Sequence, residues 1–301
     1  MPPRNWLAFA PLLAAVFWGG MYVVSKWGFE QIPPLTLAFL RVVIGATVLV
    51  VVVSGRYPRR AFSRADWRAF AVLGVWVAVT MSTQFVGTDL TTASEGSLIT
   101  VLTPVFTVGL GVVILGERLT RRRAVGISLA LVGTLVVLAG QYELATIGAG
   151  SLSGVVLLVV ASAGWAAYTV WGKPVIRRYS ALETATYSTV LAVPMLAVLV
   201  PVELAITGIS IGTISFSWPL LAAVGYLGTL STAAAWYCWY KGLEYADAGT
   251  VAVFFFAQPV VGAALGGLLL GEPIGPGFVI GGVVMALGIY VVSTDRATTT
   301  K

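Results

Sequence analysis

Apolar residues run along the chain in long blocks, separated by short polar stretches. Ten blocks stand out, at 6–27, 35–54, 67–87, 94–115, 124–140, 154–173, 185–202, 218–240, 248–270 and 278–292. A bilayer core about 30 Å thick takes about 20 helical residues. Lipid satisfies no backbone N–H or C=O, so only helices and closed barrels cross it. The blocks are too long and too evenly apolar for barrel strands. The pattern predicts an all-α polytopic membrane protein with ten transmembrane helices. The first block carries Arg4 as a charged flank, as a signal peptide does. It runs on past Gly19-Gly20 to Lys26 without a clear small-residue cleavage site, and is expected to remain as a span.

The blocks repeat. Gly87, Ala93, Pro104 and Gly116-Glu117 recur at one constant offset as Gly242, Ala248, Pro259 and Gly271-Glu272. Trp18 and Lys26 recur at a slightly shorter offset as Trp165 and Lys173. Two five-helix halves follow, residues 1–145 and 146–301. Five crossings send the second half in upside down, which makes an inverted repeat. Secondary transporters use this architecture, with substrate near the midplane between the repeats.

Composition sharpens the class. The chain is 58% hydrophobic and 10% charged, against about 25% charged in soluble domains, so a soluble enzyme and a disordered chain are excluded. The net charge of +6 does not point to nucleic acid, because the basic residues sit in short loops. With the N-terminus inside, all but Lys26 and Arg41 fall on the inner side. The expected location is a bacterial-type inner membrane with both termini cytoplasmic. Trp6, Trp27, Trp67 and Trp218 stand at block ends as interfacial anchors. Cys238 is the single cysteine and there is no histidine, so no internal disulfide, metal or cofactor is expected. An intramembrane enzyme lacks its base, its paired carboxylates and its metal ligands.

Phe17-Trp18-Gly19-Gly20 leading to Lys26, and Ile32-Pro33-Pro34-Leu35 through Phe39-Leu40-Arg41, resemble the opening of an EamA domain. Leu102-Thr103-Pro104-Val105-Phe106 and Leu115-Gly116-Glu117-Arg118-Leu119-Thr120 resemble its fourth-span motif. Ala257-Gln258-Pro259 and Leu270-Gly271-Glu272-Pro273 resemble the second copy. The resemblance covers nearly the whole chain. It implies the drug/metabolite transporter superfamily, a ten-helix fold, and within it the amino-acid and metabolite exporters.

Several residues are candidates for the solute pathway. Trp18 lies about 18 Å along its helix at about 1.5 Å per residue, and Trp165 takes the matching place in the other half. Both are too deep for an interfacial belt, and a buried indole N–H needs a partner. They are either facing walls of a central cavity or packing against small neighbours. Tyr22 shares the face of Trp18. Trp76, Thr80 and Gln84 form a stripe, and the repeat maps Gln84 onto Trp239, on the face of Gly228, Thr232 and Ala235. Gln84 and Gln258 are the deep amides; they line a cavity or join helices, the latter worth about 0.6 kcal/mol per bond. Pro104 and Pro259 are candidate hinges, each releasing the carbonyl four residues earlier, at Thr100 and Phe255. Ser97 and Thr100 add hydroxyls. Arg41 either binds a carboxylate or is structural, paired with Asp89 or Glu95 or reaching the headgroups. Lys26–Glu30 and Glu117–Arg121 read as rim pairs without a transport role.

No Asp or Glu lies in the middle third of a predicted span. That suggests a facilitator, or weak coupling through a rim group such as Glu95, Glu117 or Glu272. The expected function is export of small organic metabolites by alternating access, with aromatic or large neutral amino acids as the first choice of substrate. Other metabolites or drugs are the alternative, and a lipid-handling or structural membrane protein is a more distant one. The expected partners are a small-molecule substrate and the lipid bilayer, with the chain a monomer or weak homo-oligomer.

Overall fold

The computed structural model describes residues 9–58, 60–91, 96, 97, 99–141, 152–210, 212, 214, 215, 217–270 and 275–294. The predicted start of the first span, the junction at 145–146, Glu95 and Gly271-Glu272 lie outside the described residues. Among these residues there are helices and no strands. In chain order they are α1 (Ala10–Gly19), α2 (Met21–Phe29), α3 (Pro34–Arg56), α4 (Arg64–Asp89), α5 (Leu102–Leu115), α6 (Arg121–Gln141) and α7 (Leu152–Arg178). There follow α8 (Ala181–Thr207), α9 (Trp218–Gly228), a π-helical turn (Thr229–Ala234) and α10 (Ala235–Leu243). The last are α11 (Ala248–Val253), a 3-10 turn (Phe254–Phe256), α12 (Ala257–Leu270) and α13 (Pro276–Ser293).

Seven described stretches are long and apolar enough to cross a membrane: Ala10–Phe29, Pro34–Arg56, Arg64–Asp89, Leu152–Arg178, Ala181–Thr207, Trp218–Leu243 and Pro276–Ser293. Leu102–Leu115 and Ala248–Gly262 are shorter apolar helices. They fall in the predicted blocks 94–115 and 248–270, where the structure differs from the expectation of one continuous helix each. The chain turns at Thr100–Val101, ahead of Pro104, and tightens to 3-10 at Phe254–Phe256, ahead of Pro259. Proline removes an N–H and collides with the preceding turn, so an unbroken α-helix is disfavoured there.

Helix ends are held by carboxylates. Ser63 and Asp66 form a capping box at α4. Glu203 on α8 accepts from the Leu35 and Thr36 N–H groups at 2.6 and 2.7 Å, satisfying the start of α3. Glu117 does the same for α11, accepting from Ala248 and Gly249 at 2.7 and 3.0 Å. It can do so because Gly116 ends α5 in the left-handed region (φ 65°), which a residue without Cβ enters freely.

The packing is reciprocal. α7 lies on α4 and α5, while α1 lies on α10 and α12. α3 packs on α8, and α6 on α13. The last pair meets backbone to backbone: a Cβ added to Gly281 would fall 2.6 Å from the Gly133 carbonyl. The main core, which includes Trp18, Tyr22, Trp165, Trp236, Trp239 and Phe255, sits where α1, α7, α10 and the 3-10 turn meet.

Candidate functional site

The deep aromatic residues converge. Trp18, near the end of α1, is buried, and its indole N–H donates to the Ser231 carbonyl at 2.8 Å. That carbonyl is available because the chain winds as a π-turn there. The Ala235 N–H reaches the Leu230 carbonyl rather than that of Ser231. Trp165 on α7 meets Trp18 edge to face, ring centres 5.3 Å apart at 89°. Trp239 and Phe255 close on the same indole at 5.4 and 5.6 Å. Each such pair adds about 0.5–1.5 kcal/mol beyond burial.

A cavity of about 20 Å³ lies among these groups, room for about one water. Of the residues singled out from the sequence, Trp18, Thr80, Gln84, Thr100, Trp165, Phe255 and Gln258 line it. Tyr22 stands just behind, donating to the Thr100 hydroxyl at 2.7 Å and accepting from the Gln84 amide at 2.8 Å. Gln84 therefore both lines the cavity and ties α4 to α2. Gln258 donates to the Trp18 carbonyl at 3.3 Å.

Other candidates lie elsewhere. Trp76 packs on Trp171, ring centres 5.7 Å apart, and is not among the lining residues. Trp239 sits a layer back, its N–H donating to the Thr169 hydroxyl at 2.9 Å, and Trp236 takes the place facing the cavity. The π-turn explains the substitution: it takes an extra residue into the turn, so the face counted from Gly228 and Thr232 slips before it reaches α10. Ser97 is half-buried, and its carbonyl accepts from the Thr100 hydroxyl at 3.1 Å. Pro104 and Pro259 are buried beside the cavity-lining Thr103 and Gln258. The carbonyl expected to be released at Thr100 is not free, since it accepts from the Thr103 N–H at 2.9 Å.

Arg41 also lines the cavity, and it departs most from the sequence reading. It is 1% exposed. It neither pairs with Asp89 nor reaches the headgroups, but turns inward to the π-turn at mid-span. Its Nε donates to the Thr232 hydroxyl at 2.7 Å and its Nη2 to the Ser231 carbonyl at 2.8 Å. A charge at the centre of a span costs about 2.5–3.5 kcal/mol or more, and these bonds offset part of it. Among the described lining residues there is no carboxylate. Five lining polar atoms have no partner among the described residues: Thr80 Oγ1, Thr103 Oγ1, Trp165 Nε1, Trp236 Nε1 and Gln258 Oε1.

The expected rim pairs are also re-partnered. Lys26 does not pair with Glu30; it donates to the carbonyls of Thr88, Asp89 and Thr91 at 3.2, 2.7 and 2.7 Å. This places a cation at the negative end of α4. Glu117 pairs with Lys173, not Arg121, and Lys173 also binds Asp247, which binds Arg123. Spacing along one helix finds i,i+4 partners and misses these, which come from other helices.

The chain matches the model of the EamA-like transporter family twice, over residues 5–139 and 152–294. A protein of Archaeoglobus fulgidus named "Uncharacterized transporter" is 27% identical over 97% of this chain and 100% of its own length. A Salmonella typhimurium protein named "Probable amino-acid metabolite efflux pump" is 27% identical over 94% of this chain and 93% of its own. An Escherichia coli protein of the same name is 26% identical over 93% and 92%. A solved crystal structure, 18% identical, covers 99% of this chain and 100% of its own with a TM-score of 0.76, a likeness of fold. With two matched segments that together span most of its length, in a membrane-spanning helical fold, the chain belongs to the EamA-like transporter family.

Proposed function

We propose that the chain exports small organic metabolites, amino acids with aromatic or large neutral side chains first among them, by alternating access through the central cavity. The carrying observation is the buried meeting point of α1, α7 and the two interrupted blocks, walled by Trp18, Trp165 and Phe255 and edged by Thr100 and Gln258. Aromatic walls suit an apolar side chain, and ring faces attract an ammonium by about 0.5–2 kcal/mol. The names of the Salmonella and Escherichia relatives agree with this substrate class.

Ten spans in two inverted halves, 1–145 and 146–301, are part of the proposal, as are a bacterial-type inner membrane and cytoplasmic termini. Reciprocal packing of α7 on α4 and α5 and of α1 on α10 and α12 supports the inversion. So does the equivalence of Thr100 with Phe255 and of Thr103 with Gln258 at the repeat offset, all four lining the cavity. A cavity of about 20 Å³ is too small for an amino acid, which fits an occluded state that must open to load.

The test is uptake of labelled amino acids into proteoliposomes, with protein-free vesicles as the blank. Reporter fusions at the two ends test the topology. No flux above the blank across the amino-acid panel, or ends on opposite faces, would overturn the reading.

A further inference from the structure

Arg41 is a buried cation whose partners among the described residues are all neutral. Its guanidinium offers five N–H donors in one plane. The fold answers with the Thr232 hydroxyl, the Ser231 carbonyl and, at 3.3 Å, the Ser231 hydroxyl. The remaining nitrogen, Nη1, finds the Met21 sulfur at 2.9 Å, a weak acceptor. The Phe85 ring lies 5.5 Å from Cζ. Among the described residues no carboxylate forms an ion pair with it. Buried charges in membrane proteins are ordinarily paired or given a functional ligand.

The same cavity holds two more donors without a partner among the described residues, the indole N–H groups of Trp165 and Trp236. The unanswered chemistry of the site is thus mainly that of donors facing one small space, with positive charge on one wall. Its complement is an anion whose oxygens accept from Nη1, held otherwise only by the weak sulfur acceptor, and from the indole N–H groups.

Resting on the reading of this cavity as the transport site, we infer that Arg41 is the anchor for a substrate carboxylate and that the site selects for that group. The guanidinium and the indole N–H groups receive the carboxylate, and the apolar part of the substrate lies among Trp18, Trp165 and Phe255. An amine is secondary, met by the Gln258 Oε1 and by ring faces. A compound that keeps the amine and loses the carboxylate presents a cation to Arg41 and is rejected; one that keeps only the carboxylate is accepted.

Counterflow of tritiated phenylalanine in proteoliposomes tests this, with unlabelled 3-phenylpropionate and phenylalaninamide as competitors. The expected result is that 3-phenylpropionate competes and that the amide is at least ten-fold weaker. Arg41→Gln should abolish that preference, Arg41→Lys should retain part of it, and Glu95→Gln should leave it unchanged. Thermal stabilisation of the detergent-purified variants by 3-phenylpropionate reads binding where flux is lost, and a melting transition shows that the variant is folded. Equal competition by the amide in the unmodified protein, or an undiminished preference in folded Arg41→Gln, overturns the carboxylate anchor while leaving the cavity reading intact. A Glu95→Gln variant that behaves as Arg41→Gln overturns it too, by placing the counter-charge within the chain. Absence of phenylalanine counterflow together with absence of stabilisation by either competitor sinks this inference and the cavity reading alike.

Discussion

Lys173 Nζ lies 3.0 Å from the Glu117 carboxylate and 2.8 Å from that of Asp247. Glu117 follows α5 and Asp247 precedes α11, so one ammonium on α7 fastens segments remote in sequence. Lys173 and Glu117 are nearly inaccessible. Removing one member of such a group leaves uncompensated buried charge, which costs about 3–5 kcal/mol. Lys173→Met should therefore lower the thermal stability of the purified protein sharply, and adding Glu117→Gln, which leaves Asp247 paired with Arg123, should restore most of the loss. An unchanged melting temperature in the single variant would contradict this account.

The same cluster bears on access to the cavity. In the proposed topology it lies on the cytoplasmic side. In a Cys238→Ala background, Thr103→Cys places a thiol at the cavity wall, where Thr103 is 1% exposed. An impermeant maleimide added from the cytoplasmic side should label it at least ten-fold faster when Lys173, Glu117 and Asp247 are all neutralised. Equal labelling rates would remove the cluster from the gate.

Trp18 and Trp165 make similar ring contacts but differ at nitrogen. The Trp18 N–H is bonded to Ser231, and the Trp165 N–H has no partner among the described residues. Replacing either by Phe keeps a ring in place. Trp18→Phe should be the more destabilising by about 1 kcal/mol, the net worth of one buried hydrogen bond. Trp165→Phe should show its larger effect in substrate affinity. Chemical unfolding paired with uptake kinetics checks both, and the reverse order of stabilities would be inconsistent with the geometry.

Gly45 and Gly55 share α3 and offer a matched comparison. A Cβ at Gly45 would lie 2.4 Å from the Thr232 methyl, whereas one at Gly55 meets nothing within 4 Å. Gly45→Ala should cost about 1–3 kcal/mol by overpacking and impair transport, because Thr232 holds Arg41. Gly55→Ala should be neutral or stabilise by up to about 1 kcal/mol. Melting temperatures of the two variants settle the comparison.

Energy coupling is open to direct measurement. The described cavity lining contains no carboxylate, and Glu117, one of the rim groups considered, is bound to Lys173. Exchange in proteoliposomes should persist with no proton gradient. Strict dependence on the gradient would point to a titrating group away from this lining.

How much of this was legible in the chain depends on where each partner lies. Block lengths were enough to place the seven long apolar stretches, and Trp18 and Trp165, singled out as a pair from the sequence, do meet. The destination of Arg41 was not legible, because its partners Ser231 and Thr232 are remote and sit on a π-turn that a 3.6-residue period does not foresee. The same turn exchanged Trp239 for Trp236. The role of Glu117 was hidden by a search for partners on its own helix, when its oxygens serve α7 and the start of α11. Prolines marked the interrupted blocks correctly, yet the tightened turn at Thr100 consumed the carbonyl that a simple kink would have released.

The tight closure of the aromatic cluster has a consequence for the cell's energy. Space for about one water cannot hold an unbroken file of water across about 30 Å of hydrocarbon. Among the described residues the aromatic cluster therefore holds no water wire along which protons or sodium ions could pass in this conformation.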